Sequence, residues 1–315
     1  MKTVCGICGN ADNNNVHIVK ERIFNKGDEF HYLECARCKS WIMVDDIELG
    51  EWYPKNYNPY LKKNIDNLWI RLKRYFLIEY IIWNKHRNFN KIMKLDNVDI
   101  LFKRLCGTRI KKSSSVLDVG CANGHWLDVL ADMGWKNITG VDLYMPPEKM
   151  KNKKWTFVSG DIFSLNNKEY DFISLNHSFE HMDNPLAVLK KVNALLKKDG
   201  LCMISIPLAG GVAHKKYGEY FCQLDAPRHL YLLSPKAMNY LCKKAGLRIE
   251  YVSYDSNDAI FKISEGYMRT NKSHGQLSRE ATVSSKKVQE YREMAEESNR
   301  MKKGDQAVFY IRKQI

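Results

Sequence analysis

The sequence predicts an α/β protein built on a seven-stranded, largely parallel sheet. Three observations predict it. Between Ser113 and about Tyr254, short apolar runs alternate with stretches of helical periodicity, the pattern of strand–helix–strand units. The first run, Ser115 to Val119, passes into Gly120-Cys121-Ala122-Asn123-Gly124 and then an apolar helix. Glycines there let the backbone approach a nucleotide without a Cβ clash. Two late runs, Ile249 to Tyr254 and Gln306 to Ile311, complete seven strands.

The remaining elements follow from local chemistry. Ile138 to Leu143, Trp155 to Val158 and Tyr170 to Leu175 read as strands. Asn184-Pro185 gives a helix cap followed by a first-turn proline, and Leu186, Leu189, Val192, Leu195 and Leu196 keep helical spacing. Asp199-Gly200 closes that helix, and Leu201 to Ile206 is the fifth strand. Ser234-Pro235 opens another helix, which Gly246 ends. Three regions result: residues 1–50, a helical linker or lid over 51–112, and the sheet domain over 113–315. A helical insertion at about 265–304 precedes the last strand.

The 315 residues, 44% hydrophobic, suffice for one large domain and a small one. No apolar run is long enough to span a bilayer. The start, Met1-Lys2-Thr3-Val4-Cys5, lacks the apolar core of a secretory signal. A cytoplasmic protein is expected. The net charge of +14 suits phosphorylated substrates, nucleic acid or an anionic membrane face; Lys, Asn and Ile bias from an AT-rich genome explains it equally well.

The pairs Cys5-x2-Cys8 and Cys35-x2-Cys38 are separated by 26 residues. Four thiolates suit a closed, structural zinc site, with iron–sulfur as the alternative. Cys106, Cys121, Cys202, Cys222 and Cys242 are scattered and read as packing residues.

Acids recur at the strand ends. Asp142 closes the second strand, where a carboxylate can accept from both ribose hydroxyls. Gly160-Asp161-Ile162 suits an adenine amino group and ring. Singly, each acid reads as a helix cap or solvated turn. Jointly, residues 113–206 resemble the core of class I S-adenosylmethionine-dependent methyltransferases of the methyltransferase domain 11/23 type, a Rossmann-like fold. The resemblance implies that Asp118, Gly120 and Gly124 surround the amino-acid half of S-adenosylmethionine, Asp142 its ribose and Asp161 its adenine. Cys121, Asn123, Leu143, Ile162, Asn176 and His177 complete the expected cofactor set. A dinucleotide oxidoreductase would prefer G-x-G-x-x-G early in the chain; here the turn is G-x-x-x-G and a whole module precedes it.

A four-cysteine module joined to such a core resembles bacterial nucleotide-sugar C-methyltransferases and methyltransferases of surface-polysaccharide gene clusters. The stretch Asp45 to Tyr60, with Glu51-Trp52-Tyr53-Pro54 and Tyr57, resembles the latter group. The extra C-terminal domain of the C-methyltransferases is lacking, which favours O- or N-methylation. The implied reaction is methylation of a sugar hydroxyl on a nucleotide-linked or lipid-linked glycan. An RNA methyltransferase and an O-methyltransferase of a quinone-like small molecule are the alternatives.

A hydroxyl acceptor must lose a proton, so a base is expected. Asn176 to His181 offers Glu180 and His181. In quinone-biosynthesis O-methyltransferases a similar stretch binds a divalent cation through two glutamates and a histidine; His177 stands where the first glutamate would be. Gln223 to Tyr231 offers His229 as general base or substrate contact, and Arg228 for a phosphate or carboxylate. The basic aromatic stretch from Leu68 through Tyr80, Trp83, Lys85, His86 and Arg87 reads first as a packing helix. Contact with the inner membrane face is the second reading, and holding RNA or covering the site are others.

Overall fold

The computed structural model describes residues 3–53, 68–85, 88–95, 98–274, 276–277 and 283–314. Pro54, Tyr57 and Tyr60 of the acidic-to-aromatic stretch, and His86 and Arg87 of the basic one, lie outside the described residues.

Three N-terminal strands, Asn15–Lys20 (β1), Glu29–Glu34 (β2) and Trp41–Met43 (β3), form an antiparallel meander. Helices Leu68–Trp83 (α1), Phe89–Met93 (α2) and Ile100–Lys103 (α3) follow. The main domain then alternates Val116–Val119 (β4), His125–Asp132 (α4), Ile138–Asp142 (β5), Thr156–Ser159 (β6), Tyr170–Asn176 (β7), Pro185–Leu195 (α5) and Leu196–Pro207 (β8). Val212–Tyr217 (α6), Tyr231–Leu232 (β9), Pro235–Lys244 (α7), Leu247–Tyr254 (β10), Asp258–Thr270 (α8), Ser285–Arg300 (α9) and Gln306–Lys313 (β11) complete it.

The expected seven-stranded sheet is present, in the order β10-β11-β8-β7-β4-β5-β6. Strands β4 to β8 pair in parallel, and β11 pairs antiparallel with both β8 and β10. The chain runs outward through β4, β5 and β6, then returns to place β7 beside β4. That reversal opens a crevice at the carboxyl ends of the strands. Alternate residues feed two cores. Ala307, Phe309 and Ile311 face α5 and α7, whereas Val308 and Tyr310 face α1 to α4.

The caps sit where the sequence put them. Asn184 Oδ1 accepts from Ala187 N at 3.0 Å, and Ser234 Oγ accepts from Ala237 N at 3.0 Å. The insertion before β11 starts earlier than expected, at Asp258, because Asn257 caps α8 by accepting from Ile260 N.

The N-terminal sheet is not completed by residues 1–50 alone. Its fourth strand is β9, paired antiparallel with β3 through Trp41–Leu232 and Ile42–Tyr231. Cys5, Ile7, Leu33, Cys35, Cys38 and Ile42 share one core with Leu117, Ile173 and Ile204 of the main sheet. The other face, with Phe30, Tyr32 and Trp41, packs on Ala213, Phe221, Phe261 and Tyr291.

Ser234 joins both parts: its N accepts no role in the helix but donates to Ser40 Oγ at 3.0 Å, and its Oγ donates to the Cys38 carbonyl at 2.5 Å. Ser234→Ala should therefore cost about 1–2 kcal/mol, the upper range for an N-cap, since a buried carbonyl also loses its donor. Urea unfolding should show a lower midpoint at unchanged slope.

Candidate functional site

The carboxyl ends of β4, β5, β6 and β7 surround a cavity of about 750 Å³. Gly120, Asp142, Leu143, Asp161, Ile162, Asn176, His177, His181 and His229 of the expected site line it. Asp118, Cys121, Asn123, Gly124 and Glu180 are not in its wall.

The glycine turn explains that division. Asp118 is buried behind the turn, where its carboxylate accepts from Trp126 Nε1 at 2.8 Å and Ser174 Oγ at 2.7 Å. Burial pushes its pKa up to about 7 against those two hydrogen bonds. It fixes the start of α4 to the sheet. Cys121 packs against Trp126 and Leu127, and the Asn123 side chain accepts from His125 N. Gly124 has φ +67, and a Cβ there would lie 2.0 Å from Trp155 Cζ2, so only glycine fits. A Cβ on Gly120, at φ +74, would lie 2.5 Å from Ser178 Cβ.

Both strand-end acids bond nearby backbone amides and also line the cavity. Asp142 Oδ2 accepts from Ala122 N at 2.8 Å, and Oδ1 accepts from Tyr144 N and Met145 N. A carboxylate has about four acceptor positions, so one remains, on Oδ2. Asp142, expected to receive both ribose hydroxyls, keeps one acceptor position beyond these backbone bonds. Asp161 Oδ1 caps the following turn through Phe163 N and Ser164 N, while the residue lines the cavity. Leu143, Tyr144 and Phe163 expose apolar surface at the cavity mouth, a setting for a flat ring.

At the other end of the cavity, four residues expected separately from the sequence form one cluster. Glu180 is buried, and neither carboxylate oxygen has a hydrogen-bond partner among the described residues. Its Oε1 lies 3.3 Å from His177 Nδ1 and 3.9 Å from His229 Nε2. His229 Nδ1 is 2.8 Å from the Gln223 carbonyl, and His181 Nδ1 is 2.8 Å from the Arg228 carbonyl. A carbonyl only accepts, so both Nδ1 atoms carry the proton and both Nε2 atoms offer a lone pair. Burial is the main cause that lowers both histidines to about 4. His177 is in the left-handed region, at φ +49, and burial lowers it to about 3. Glu180, His181 and His229 bring one ligand atom each within 4.8 Å of the others, a spacing that could hold a divalent cation.

Arg228, expected to take a phosphate or carboxylate, is buried and bonded within its own loop. Its Nε and Nη2 bond Asp225, a partly buried residue at φ +40 that shapes the loop. Three residues here were not among the expected site residues. Tyr53, from a segment far upstream, puts its hydroxyl 2.9 Å from His181 Nδ1 and stacks on Tyr144 at 4.2 Å. Cys222, expected to be packing, is half-buried and lines the cavity. Tyr32, fully buried in β2, donates from its hydroxyl to the His229 carbonyl at 2.8 Å.

The four N-terminal cysteines converge as expected. Sulfur–sulfur distances are 3.7 Å for Cys5–Cys38, 3.7 Å for Cys5–Cys8 and 3.6 Å for Cys8–Cys35. A tetrahedron with metal–sulfur bonds of about 2.3 Å has edges of about 3.8 Å. The cluster therefore fits a tetrahedral ion. Its last cysteine, Cys38, lies at the root of β3, three residues before the ladder with β9 begins at Trp41.

A family model described as a methyltransferase domain matches residues 86–252, more than half of the chain. A ubiquinone biosynthesis O-methyltransferase of Actinobacillus pleuropneumoniae is 27% identical over 139 residues, 39% of this chain and 58% of that protein. An uncharacterized protein of Methanocaldococcus jannaschii is 26% identical over 129 residues, 38% of this chain and 47% of that protein. The chain thus matches only about half the length of these curated relatives. Among solved structures, an S-adenosylmethionine-dependent methyltransferase of Archaeoglobus fulgidus aligns with a TM-score of 0.41 and 18% identity, covering 78% of this chain and 100% of that one. One of Mesorhizobium loti gives 0.42 and 12%, covering 64% and 91%.

The buried neutral histidines make a pH prediction. Their folded pKa values, about 4, lie below the ordinary 6.5. Between those values the unfolded chain binds more protons, so stability is fully present above about 6.5 and is lost as pH falls toward 4. The thermal midpoint should drop across that window, and should drop less in a His181→Gln variant.

Proposed function

The chain belongs to the methyltransferase domain family, and from that premise we propose that it transfers a methyl group from S-adenosylmethionine to a hydroxyl of an acceptor held beside His229. The observation that carries this reading is one cavity lined at one end by Asp142 and Asp161 and at the other by His181 and His229. S-adenosylmethionine supplies, when bound, a methyl on a sulfonium that needs no acid to leave. Leu143, Ile162 and Phe163 would flank its adenine, the free position on Asp142 one ribose hydroxyl, and Gly120 and Asn176 its amino-acid half. Asp118, Cys121, Asn123 and Gly124 would shape the turn from behind.

His229 Nε2 would take the acceptor proton as the oxygen attacks the methyl carbon and the carbon–sulfur bond breaks. Its Nδ1–H bond to Gln223 fixes the tautomer this requires, and Glu180 would stabilise the imidazolium that forms. Because His229 is held near 4, it is a base at every pH above about 5. A sugar hydroxyl of a nucleotide-linked or lipid-linked glycan is the acceptor class we favour; a quinone-like phenol is supported by the ubiquinone-biosynthesis relatives. Nucleic acid ranks below both.

His229→Ala should lower kcat by about 10²-fold or more with unchanged affinity for S-adenosylhomocysteine, the usual scale for a lost general base. Tyr32→Phe should lower kcat about 3- to 10-fold, on the scale of one lost hydrogen bond. Wild-type turnover in His229→Ala would reject the base assignment.

The four cysteines would hold a structural zinc ion. One zinc per chain is expected by elemental analysis, and Cys35→Ser should lose it together with several degrees of thermal midpoint. A metal-free wild type of full stability would reject the site.

One face of α1 supports peripheral contact with an anionic membrane. Phe76, Tyr80 and Trp83 are 74%, 58% and 54% exposed, while Ile78, Ile81 and Ile82 on the opposite face are buried. No helix among the described residues is long and apolar enough to cross a membrane. Co-sedimentation with phosphatidylglycerol vesicles at low salt is expected; protein left in the supernatant would reject this contact.

A further inference from the structure

A second cavity, of about 760 Å³, shares His177 with the first, the residue common to both walls among those described. It lies between α2, α3 and α9, over the start of β11. Its floor is Arg104, Asp255 and Gln306, all buried. Arg104 Nε donates to Asp255 Oδ2 at 2.8 Å, and Gln306 Nε2 donates to Asp255 Oδ1 at 2.9 Å. Gln306 Oε1 in turn accepts from Gln223 Nε2 at 2.7 Å. Gln223 lines the first cavity and holds His229. The two cavities are therefore joined by a hydrogen-bonded chain as well as by His177.

Arg104 is only 2% exposed, yet its two Nη groups make no hydrogen bond to a described residue and are not among the sealed polar atoms of the interior. Arg104 lines the cavity. A buried guanidinium with an open pair of donors is strongly suited to a carboxylate or phosphate, which it grips through two parallel bonds. At the rim, Lys94 pairs with Glu296 and Arg300 with Glu297. Arg292 has no ion-pair partner among the described residues. Tyr254 and Asp258 add a hydroxyl and a carboxylate to the wall, groups that hydrogen-bond to hydroxyls.

We propose that the second cavity holds the distal half of the acceptor, and that this half is rich in hydroxyls and carries one carboxylate or phosphate, seated on the Nη groups of Arg104. The acceptor then passes His177 to present its reacting hydroxyl at His229. This deepens the methyl-transfer reading and rests on it.

Calorimetry on the full-length protein saturated with S-adenosylhomocysteine tests the assignment, with glucose 1-phosphate, glucuronate and glucose as probes. Both anionic sugars should bind and glucose should bind at least about tenfold more weakly, the scale of one charge-assisted pair. The tighter of the two anions identifies the group as phosphate or carboxylate. Arg104→Lys keeps a cation for Asp255 but loses the paired donors; it should weaken the anions about tenfold and leave S-adenosylhomocysteine affinity unchanged. Arg292→Ala, at the exposed rim, should weaken them about two- to threefold. Equal binding of glucose, no binding of any probe, or unchanged anion affinity in Arg104→Lys overturns the proposal. Loss of S-adenosylhomocysteine affinity in Arg104→Lys also overturns it, by placing the cofactor's own carboxylate on Arg104. Failure of the wild type to bind S-adenosylhomocysteine would instead reject the methyl-transfer reading itself.

Discussion

Two residue pairs, Trp41–Leu232 and Ile42–Tyr231, hold the N-terminal sheet and the loop after His229 in one ladder. Much of the site depends on that pairing. Met43 N donates to the Leu230 carbonyl at 2.9 Å, and Tyr32 donates to the carbonyl of His229. On the far side, Leu230 N donates to the Glu180 carbonyl. The histidine loop is thus clamped between the four-cysteine region and the turn after β7. The base proposed at His229 would need geometry of this kind, because errors of about 1 Å cost large factors in rate. The N-terminal residues act as a wall of the site rather than as an appended module.

Burial sets the chemistry of that wall. Glu180 sits without a hydrogen-bond partner among the described residues, an arrangement that is costly unless charge or a ligand compensates it. Around it, His177, His181 and His229 are held neutral by desolvation. Three lone-pair-bearing or strained rings beside one carboxylate form a reservoir of unsatisfied polarity where the two cavity walls share a residue. Strain of this sort persists where function requires it, and His177 in the left-handed region is the clearest instance.

The strand-end acids show how one side chain serves fold and site together. Asp142 ties the glycine turn to β5 and organises Tyr144 and Met145, and still reaches the cavity. Asp161 caps a turn with one oxygen. A carboxylate has about four acceptor positions, so these local bonds leave room for the proposed ligand contacts.

The sequence by itself determined the sheet, because strand and helix periods, the Asn184 and Ser234 caps and the glycine turn are local signals acting within a few residues. The cysteine pairs were legible for the same reason. Tertiary structure alone decided three other matters. It turned Asp118 inward, since a buried Trp126 and Ser174 offered it partners. It bound Arg228 to Asp225, and it brought Tyr32 and Tyr53 to His229 and His181 across more than a hundred residues. The Arg104–Asp255 pair, 151 residues apart, likewise left no trace in spacing. Such contacts come from how packed layers meet, which no local period encodes.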